Sequence, residues 1–473
     1  MKIEQIYTGC LAQGTYYIES EGEAVIIDPL REVQPYIDQA KKAKAKIKYV
    51  LETHFHADFV SGHEDLAKKT GATIVFGPTD MKLGFTAHIA KDNEELYFGK
   101  CTIKVLHTPG HTMESSCYLL KDENGIGVAL FSGDTLFIGD VGRPDLAQKV
   151  IADLTQEKLA SLLFDSLRNK IMPLPDDIIV YPAHGAGSAC GKNMSKETSD
   201  TLGNQKKTNY ALNLSLTKEK FITEVLDGLM PPPAYFPENV MMNIQGNDSI
   251  DEVIDRGTKA LSPQEFEMIA NETDALIIDT RHQKDFVKGF IPNSIFIGID
   301  GSFAPWVGAL VPDIKQKILL VCDKGREQEV VTRLARVGYD YAIGFLEGGL
   351  EAWKKAGKEI DFIESISPVD AFKRNQNNEG EIIDVRKNSE HYSEHIIDSI
   401  NAPLDYINDS MQMINPEKKY FVHCGSGYRS VIFISILKAR GYDNLIDIEG
   451  GFKTIQDSNL YNISHYVCPS TML

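Results

Sequence analysis

The sequence predicts a multidomain protein of the α/β class. Its 473 residues are enough for two to four ordinary domains. Short apolar runs alternate with helical patterns in the first half, and the second half contains one α/β pattern twice. A composition of 42% hydrophobic and 25% charged residues is typical of globular proteins with a substantial core. We therefore expect one larger α/β domain followed by two smaller ones.

The charge balance excludes some classes of partner. Acidic residues outnumber basic residues, 67 to 49, which gives a formal net charge of -18. This balance argues against a nucleic acid partner and against docking on an anionic membrane. The start of the chain, MKIEQIYTGC, lacks an apolar signal segment, and no apolar run is long enough to cross a bilayer. With seven scattered cysteines and no CxxC pair, we expect a cytoplasmic protein with reduced thiols.

The first half reads as a series of strands followed by a helix. The segment 205–229 predicts a helix that ends at Met230, because the three prolines that follow cannot continue it. The stretch PPPAYFPENV is the best candidate for a linker, expected to be extended. We therefore place the first domain at 1–230 and the linker at 231–255. Five apolar runs indicate buried strands, at residues 25–27, 49–51, 103–106, 128–131 and 178–181.

The second half contains an internal repeat. The stretch IIDTRHQKDFVKGFIPNSI, which starts at Ile277, matches IIDVRKNSEHYSEHIIDSI, which starts at Ile382. A GYD block and an LEGG or IEGG block follow each stretch in the same order and at similar spacing. We therefore expect two copies of one α/β unit of ordinary domain size, at 256–361 and 362–473.

Four strand-like runs in the first half end in residue types that bind metals. Because the loops at strand ends of α/β proteins can converge on one point, these residues predict a metal site. The candidates are His54, His56 and Asp58 in THFHADFVSGH, His107 and His111 in HTPGHT, Asp134 in SGDTLF, and His184 in PAHGAG.

These four motifs resemble the metallo-β-lactamase superfamily, and within it the branch of glyoxalase II and the persulfide dioxygenases. The resemblance runs from Met1 to about Leu229 and implies an αββα sandwich. Members with two metals carry HxHxDH, whereas Phe59 stands at the last histidine position here. A phenyl ring cannot ligate a metal, so we expect one metal per chain. His63, one helical turn further on, is the alternative replacement ligand.

The resemblance to persulfide dioxygenases implies a ligand set. Those enzymes hold iron with two histidines and one carboxylate, which implies that His56, His111 and Asp134 bind one Fe(II). Such a site leaves positions open for a persulfide and O2 together. The competing set is a hydrolytic zinc site of His54, His56 and His111.

The other polar residues of these motifs are expected to support the metal. In the iron-binding interpretation, His54, Asp58 and His184 orient the ligands, hold waters and tune the metal.

Three further residues bear on the substrate. The resemblance implies that Arg143 contacts the carboxylate of a thiol persulfide, as a guanidinium fork suits an anion. A surface role for Arg143 is the alternative. Tyr181 matches a tyrosine near the iron in the family, but its position in a strand equally suits a core residue. Cys190, in GSACGK, could relay persulfide sulfur or simply fill space.

The C-terminal repeat carries a second candidate site. In YFVHCGSGYRS, an apolar run leads to Cys424, and a glycine-rich loop and a helix follow. The pattern CxxxxR, which ends at Arg429, resembles the active-site loop of the rhodaneses. Gly425 and Gly427 allow the loop amides to converge, and with the helix N-terminus they are expected to lower the pKa of the thiol. Arg429 would hold an anionic acceptor such as sulfite.

The loop of the middle repeat, LLVCDKGREQEV, differs. If Cys322 aligns with Cys424, this loop is one residue short, and if Arg326 aligns with Arg429 without a gap, Val321 takes the cysteine position. Asp323 adds negative charge in either case. We predict that the middle domain is catalytically inactive and has a structural or docking role. The alternative is that Cys322 is a working catalytic residue.

The complete order of domains resembles the persulfide dioxygenase–rhodanese fusion proteins of bacterial sulfide detoxification. The resemblance implies that a low-molecular-weight thiol persulfide and O2 give sulfite and free thiol, and that Cys424 passes sulfur to sulfite to form thiosulfate. We also expect a homo-oligomer, a dimer or a tetramer. Two alternatives stay open: a glyoxalase II-like zinc thioester hydrolase with rhodanese appendages, and a non-catalytic sulfur carrier or persulfide sensor.

Overall fold

The structure is a computed structural model of the chain, and it divides into two compact units. The first unit contains residues 1–252 and 334–339, and the second contains residues 253–333 and those from 340 onward. The predicted end of the first domain at Met230 and the last five residues lie outside the described residues. The structure describes residues 1–146, 154–192, 194–229 and 231–468.

The first unit is built on two six-stranded sheets. Their orders are β1-β2-β3-β4-β5-β6 and β12-β11-β10-β9-β8-β7. All five predicted strands are present, and their nearly continuous apolar runs fit strands that are covered on both faces. The strands of the first sheet are β1 (Lys2–Thr8), β2 (Gln13–Ser20), β3 (Glu23–Ile27), β4 (Lys46–Leu51), β5 (Thr73–Phe76) and β6 (His88–Ile89). Those of the second are β7 (Glu95–Phe98), β8 (Cys101–His107), β9 (Ser116–Lys121), β10 (Gly127–Gly133), β11 (Ile179–Pro182) and β12 (Asp200–Thr201).

Helices cover the outer faces of both sheets. One apolar cluster joins the two sheets, a second lies between the first sheet and α1 and α2, and a third lies between the second sheet and α3 to α5. The predicted αββα sandwich is therefore confirmed. The helices of this unit are α1 (Gln34–Ala43), α2 (His63–Thr70), α3 (Gln156–Ser166), α4 (Leu202–Thr208), α5 (Lys218–Leu226) and α6 (Phe236–Gln245). The next helix, α7 (Ile250–Gly257), includes the division between the two units after residue 252.

The single helix predicted over 205–229 is wrong. The chain forms α4, a short 3-10 turn and then α5. The side chain of Asn209 accepts a hydrogen bond from the Ala211 N–H, which ends α4, and Thr217 caps the start of α5 by accepting from the Lys220 N–H. Asparagine and threonine compete for backbone groups in this way and so favour helix ends.

The extended conformation expected for PPPAYFPENV, residues 231–240, is also wrong. Residues 236–245 form α6, whose first turn contains Pro237, and a proline is tolerated there because that N–H has no helical partner. Asn243 of this helix is buried and donates to the carbonyl oxygens of His56 at 2.8 Å and Phe59 at 2.9 Å. These contacts make α6 part of the first unit.

The second unit confirms the internal repeat. Its two sheets are entirely parallel and have matching orders, β13-β17-β16-β14-β15 and β18-β22-β21-β19-β20. The strands are β13 (Ala260–Leu261), β14 (Leu276–Asp279), β15 (Ile295–Phe296), β16 (Ile318–Val321), β17 (Ala342–Leu346), β18 (Ser365–Ile366), β19 (Glu381–Asp384), β20 (Ile400–Asn401), β21 (Tyr420–His423) and β22 (Leu445–Ile448). The helices are α8 (Pro263–Thr273), α9 (Gln283–Phe286), α10 (Phe303–Leu310), α11 (Glu327–Arg336), α12 (Gly349–Lys355), α13 (Pro368–Gln376), α14 (Asn388–Ser393), α15 (Ile407–Ser410), α16 (Tyr428–Ala439) and α17 (Gly451–Ser458).

The strand register settles how the two repeats align. Asp279 of β14 pairs with Val321 of β16, and Asp384 of β19 pairs with His423 of β21. Because each cysteine follows the second strand of its pair, Cys322 occupies the position of Cys424. The segment between the cysteine and the arginine is therefore one residue shorter in the middle loop than in the C-terminal loop.

Within the part of the chain that the structure describes, no helix combines the length and the apolar character that crossing a bilayer requires.

Candidate metal centre and sulfur-transfer loop

Three strand ends of the first unit place metal-ligand atoms close together. The ligand atoms of His54, His111 and Asp134 lie within 4.8 Å of one another, and all three side chains are buried. His111 Nε2 lies 3.4 Å from Asp134 Oδ2, and His54 Nε2 lies 3.9 Å from the same oxygen. His54 follows β4, His111 follows β8 and Asp134 follows β10, so the loops after the strands converge as the sequence predicts.

The other ring nitrogens of these histidines have hydrogen-bond partners. His54 Nδ1 lies 3.0 Å from the hydroxyl of Thr53, which itself donates to Asp28 at 2.8 Å and therefore accepts from the ring. His111 Nδ1 donates to the Arg143 carbonyl oxygen at 2.8 Å. These bonds leave the lone pair of each Nε2 facing Asp134, which is how supporting partners orient metal-bound histidines.

The cluster suits a metal ion. Burial lowers the pKa of His54 well below its usual value, and the neighbouring imidazoles add to this effect. Neutral imidazole is the form that ligates. Among the described residues, neither carboxylate oxygen of Asp134 has a hydrogen-bond partner, although both are buried. A buried carboxylate without partners is costly unless a cation balances it.

His56 lies in a different group. Its Nε2 lies 3.0 Å from Asp28 Oδ1 and 3.4 Å from Glu52 Oε2, and all three side chains are buried. Burial disfavours the charged ring, but the two carboxylates raise the pKa of His56 well above its usual value. The expected set of His56, His111 and Asp134 is thus not the set that the structure brings together, because the Asp28 and Glu52 carboxylates hold the His56 ring. His54 takes its place.

A second group lies on the other side of Asp134. The ligand atoms of Asp58, His184 and Cys190 are within 4.8 Å of one another, and His184 Nε2 is 3.4 Å from Asp58 Oδ2 and 3.6 Å from Asp134 Oδ1. Burial raises the pKa of the Cys190 thiol well above its usual value, and the two carboxylates add to this effect. The structure therefore places a protonated thiol beside the cluster.

Neither Phe59 nor His63 supplies the ligand that is missing from the HxHxDH pattern. The buried Phe59 ring packs on the His56 ring, with centroids 4.2 Å apart. His63 packs on Phe85 at 4.7 Å, and its Nδ1 lies 3.7 Å from Glu52. Burial lowers the pKa of His63 to about 3, so the ring is neutral.

The expected substrate residues Arg143 and Tyr181 make contacts within the fold. Arg143 is buried and donates to both Asp145 oxygens at 2.7 Å and to the Ala189 carbonyl oxygen at 3.2 Å. Tyr181 stacks on Phe131 with ring centroids 5.4 Å apart. Arg143 thus contributes to the cluster through its carbonyl, and Tyr181 has the packing position that its strand location allows.

The C-terminal repeat forms the second candidate site around Cys424. The loop amide of Gly427 donates to the Cys424 sulfur at 3.2 Å, and Gly427 has a φ of 85°, which favours glycine. The thiol lies 3.7 Å from the Ser430 hydroxyl, which donates to Asp447 at 2.8 Å. Gly451 packs closely against the loop. A Cβ at this position would come within 2.4 Å of the Cys424 carbonyl oxygen.

Arg429 closes this loop but is already paired. Its two terminal nitrogens donate to the Glu390 carboxylate at 2.6 and 2.8 Å. The expected anion contact is therefore occupied by a carboxylate of the same domain.

The middle loop has a different set of contacts around Cys322. The Gly325 N–H donates to the Glu327 carboxylate at 3.0 Å. Arg326 donates to Asp300 and Glu329, both at 2.8 Å. Burial raises the pKa of Cys322 to about 12, with Glu327 among the acids that add to this effect.

Sequence reasoning missed several residues of both sites. Asp28 directly follows the predicted strand 25–27, so the rule that found Asp134 could have found it. Glu390 and Asp447 have no comparable signal, because they lie far from the CxxxxR motif in sequence.

Comparisons with known proteins give matches to both halves of the chain. The model of the Metallo-beta-lactamase superfamily matches residues 8–184, and the model of the Rhodanese-like domain matches residues 262–356 and 368–458. A solved structure described as a metallo-beta-lactamase from Staphylococcus aureus subsp. aureus COL is 34% identical. The match covers 73% of this chain and 98% of the chain in that structure, with a TM-score of 0.63.

Two hydroxyacylglutathione hydrolases are similar to the first unit. The cytoplasmic enzyme of Arabidopsis thaliana is 31% identical over 188 residues, which is 39% of this chain and 67% of that protein. The enzyme of Francisella philomiragia subsp. philomiragia is 34% identical over 169 residues, 36% of this chain. The chain spans 61% of the length of that second relative.

Proposed function

Because the chain belongs to the metallo-β-lactamase superfamily and continues into two rhodanese-like domains, we propose that it oxidises low-molecular-weight thiol persulfides and transfers sulfur. In the first unit, residues that would hold one iron ion provide a site where a persulfide, O2 and one water molecule would give sulfite and free thiol. The C-terminal repeat passes a second sulfur to sulfite through Cys424, which gives thiosulfate. The observation that carries this proposal is the cluster of two imidazoles and one carboxylate, next to a position where a phenyl ring replaces a ligand.

The proposed iron ligands are His54, His111 and Asp134. Two nitrogen ligands and one carboxylate suit Fe(II) and leave several coordination positions open. When bound, the iron supplies the redox chemistry between the persulfide sulfur and O2. The chain supplies two imidazoles, of which burial keeps that of His54 neutral, and one buried carboxylate. Thr53 and the Arg143 carbonyl fix the orientation of the two rings.

The sulfur-transfer step is a nucleophilic substitution. The Cys424 thiolate attacks the outer sulfur of a persulfide, the S–S bond breaks, and the thiol leaves. Sulfite then attacks the outer sulfur on Cys424, and thiosulfate departs as the thiolate returns. The Gly427 N–H stabilises the negative sulfur in both steps.

A second candidate function is zinc-dependent thioester hydrolysis. The similarity to two hydroxyacylglutathione hydrolases favours it, and so does the group of Asp58, His184 and Cys190 beside Asp134. This function requires no O2 and no sulfur acceptor, so products distinguish the two.

The test of the proposal is metal analysis of protein purified without oxygen. We expect about one iron per chain, and His54→Gln should remove most of it, because the loss of one of three protein ligands weakens binding by at least about tenfold. The matched control is His107→Gln, since His107 Nε2 bonds the Met113 carbonyl oxygen rather than the cluster. Two zinc ions per chain without iron, or full iron retention in His54→Gln, would contradict the proposal.

A further inference from the structure

Arg429, the residue expected to hold an anionic acceptor, is paired with a carboxylate of its own domain. Glu390 Oε2 accepts from Nη1 at 2.6 Å and Oε1 accepts from Nη2 at 2.8 Å. This two-pronged arrangement is the one in which a guanidinium group binds any planar or tetrahedral oxyanion. Glu390 thus occupies both terminal nitrogens that an acceptor would use.

The pair carries no net charge at neutral pH. Burial alone would favour the neutral acid, but the hydrogen bonds and the charge of Arg429 lower the pKa of Glu390 below its usual value. The carboxylate is therefore ionised and cancels the positive charge at the loop. A dianion such as sulfite gains little attraction from Arg429 while this pair is intact.

The pair lies at the cysteine loop and is open to exchange. A Cβ built on Gly425 would lie 3.4 Å from Arg429 Nη2, so the guanidinium group rests against the loop that holds Cys424. The Glu390 side chain is 37% exposed and that of Arg429 is 19% exposed. The carboxylate is therefore the more solvent-accessible member of the pair, so that an anion from solution can exchange with it.

The middle repeat lacks this arrangement. In the aligned IID blocks, the position of Glu390 is taken by Asp285. Its loop arginine, Arg326, pairs with Asp300 and Glu329 instead. Both loop arginines are thus paired with carboxylates, but pairing with the acid of the IID block occurs in the C-terminal repeat, which contains Cys424.

We propose that Glu390 is a specificity-determining residue that occupies the acceptor position on Arg429, so that an anionic acceptor must displace its carboxylate before transfer. The inference rests on the proposed function of Cys424. After displacement, the sulfite sulfur attacks the outer sulfur of the Cys424 persulfide, the S–S bond breaks, and its electron pair stays on Cys424 as the thiolate. Glu390 therefore weakens the binding of sulfite and favours acceptors that carry less charge.

The test is Glu390→Gln, which keeps the shape and removes the charge. We expect the KM for sulfite to fall roughly five- to tenfold, because a partly buried charge-assisted pair no longer competes with the acceptor. The kcat should change by less than about twofold, and the KM for dithiothreitol, a neutral acceptor, should stay unchanged. A merely structural role would raise KM or lower kcat for both acceptors.

The matched control is Glu394→Gln, which removes the same charge four residues away. Glu394 accepts from Gln456 at 2.8 Å and leaves Arg429 unaffected. Sulfite binding without turnover can be measured by titration of the Cys424→Ser variant and of the double variant that also carries Glu390→Gln. We expect the double variant to bind sulfite more tightly, by the same factor as the fall in KM.

An unchanged or raised KM for sulfite in Glu390→Gln, with Cys424→Ser inactive in transfer, would overturn the role of Glu390 alone. Unchanged thiosulfate output in Cys424→Ser would instead overturn the proposed transfer function.

Discussion

The two rhodanese-like repeats place a cysteine at the same point of the same sheet, yet they surround it differently. Cys424 receives an N–H from Gly427 and lies beside the Ser430 hydroxyl. In the middle repeat, the Gly325 N–H instead donates to the Glu327 carboxylate. Burial raises the pKa of Cys322 to about 12, and the neighbouring acids, Glu327 first, add to this effect. The strand thus sets the position of the sulfur, and the contacts of the loop determine how well a negative charge on that sulfur is stabilised.

The difference arises from few changes in sequence. The middle loop is one residue shorter, and an acid, Glu327, follows its arginine where Ser430 follows Arg429. The register that pairs Val422 with Asp447 and Leu320 with Phe345 also shows that a buried acid in the C-terminal repeat is replaced by a phenyl ring in the middle one. In the middle repeat, the Glu327 carboxylate accepts the loop N–H whose counterpart in the C-terminal repeat donates to the Cys424 sulfur, which supports a structural or docking role for the middle domain.

The largest expected effect comes from removing the sulfur at the C-terminal loop. Cys424→Ser should lower sulfur transfer by at least about 1000-fold, because the hydroxyl cannot replace the nucleophile. Persulfide-dependent oxygen uptake should stay intact, and the product should shift from thiosulfate to sulfite. The exposed Cys468 provides the control, since Cys468→Ser should leave both products unchanged. Thiosulfate output that survives Cys424→Ser would show that the sulfur passes elsewhere.

A smaller effect is expected from the buried acid that only the C-terminal repeat carries. Burial raises the pKa of Asp447 from 3.8 to about 6, against the hydrogen bonds from Ser430 and Ser365. Between these two pH values, the Asp447 carboxyl is therefore protonated in the folded state but ionised in the unfolded state. The free energy of unfolding should fall by up to about 3 kcal/mol as pH rises from about 4 to about 7, and this group should contribute no further change at higher pH.

Denaturant unfolding of the C-terminal repeat across this pH range, with hydrogen exchange in β22 as the probe, measures this dependence. Asp447→Asn should flatten it, whereas Asp443→Asn, a change at an exposed acid, should not. An equal slope in the wild-type chain and in Asp447→Asn would remove Asp447 from the explanation.

The smallest effect is expected in the middle loop. Cys322→Ser should change thiosulfate formation by less than about twofold, because a thiol with a pKa of about 12 supplies almost no thiolate at neutral pH. Product analysis under the conditions used for Cys424→Ser checks this expectation. A loss approaching that of Cys424→Ser would mean that the middle domain takes part in transfer.

Much of the fold could be predicted from the sequence, because buried strands leave continuous apolar runs. All five strands predicted in the first unit are present, and the repeated blocks predicted the two matching sheets. The predictions of one helix over 205–229 and of an extended conformation over 231–240 failed for a local reason. Asn209 ends a helix through its own side chain, and Pro237 begins one because it lies in the first turn.

The candidate metal centre shows a different limit. The motifs predicted which loops converge, but they could not decide between His54 and His56, which are two residues apart. That choice depends on Asp28 and Glu52, whose carboxylates hold the ring of His56. Contacts between loops of different strands set the direction of each imidazole, and spacing within one motif carries no information about them.

Oxygen uptake by iron-containing protein is the measurement that tests the central claim most directly. A panel of persulfides of glutathione, coenzyme A, bacillithiol and cysteine would be supplied in turn, with a glutathione thioester as the parallel substrate. We expect at least one persulfide to drive oxygen consumption in proportion to the amount added, with sulfite or thiosulfate as the product. Thioester cleavage without persulfide-dependent oxygen uptake in the same preparation would contradict the account.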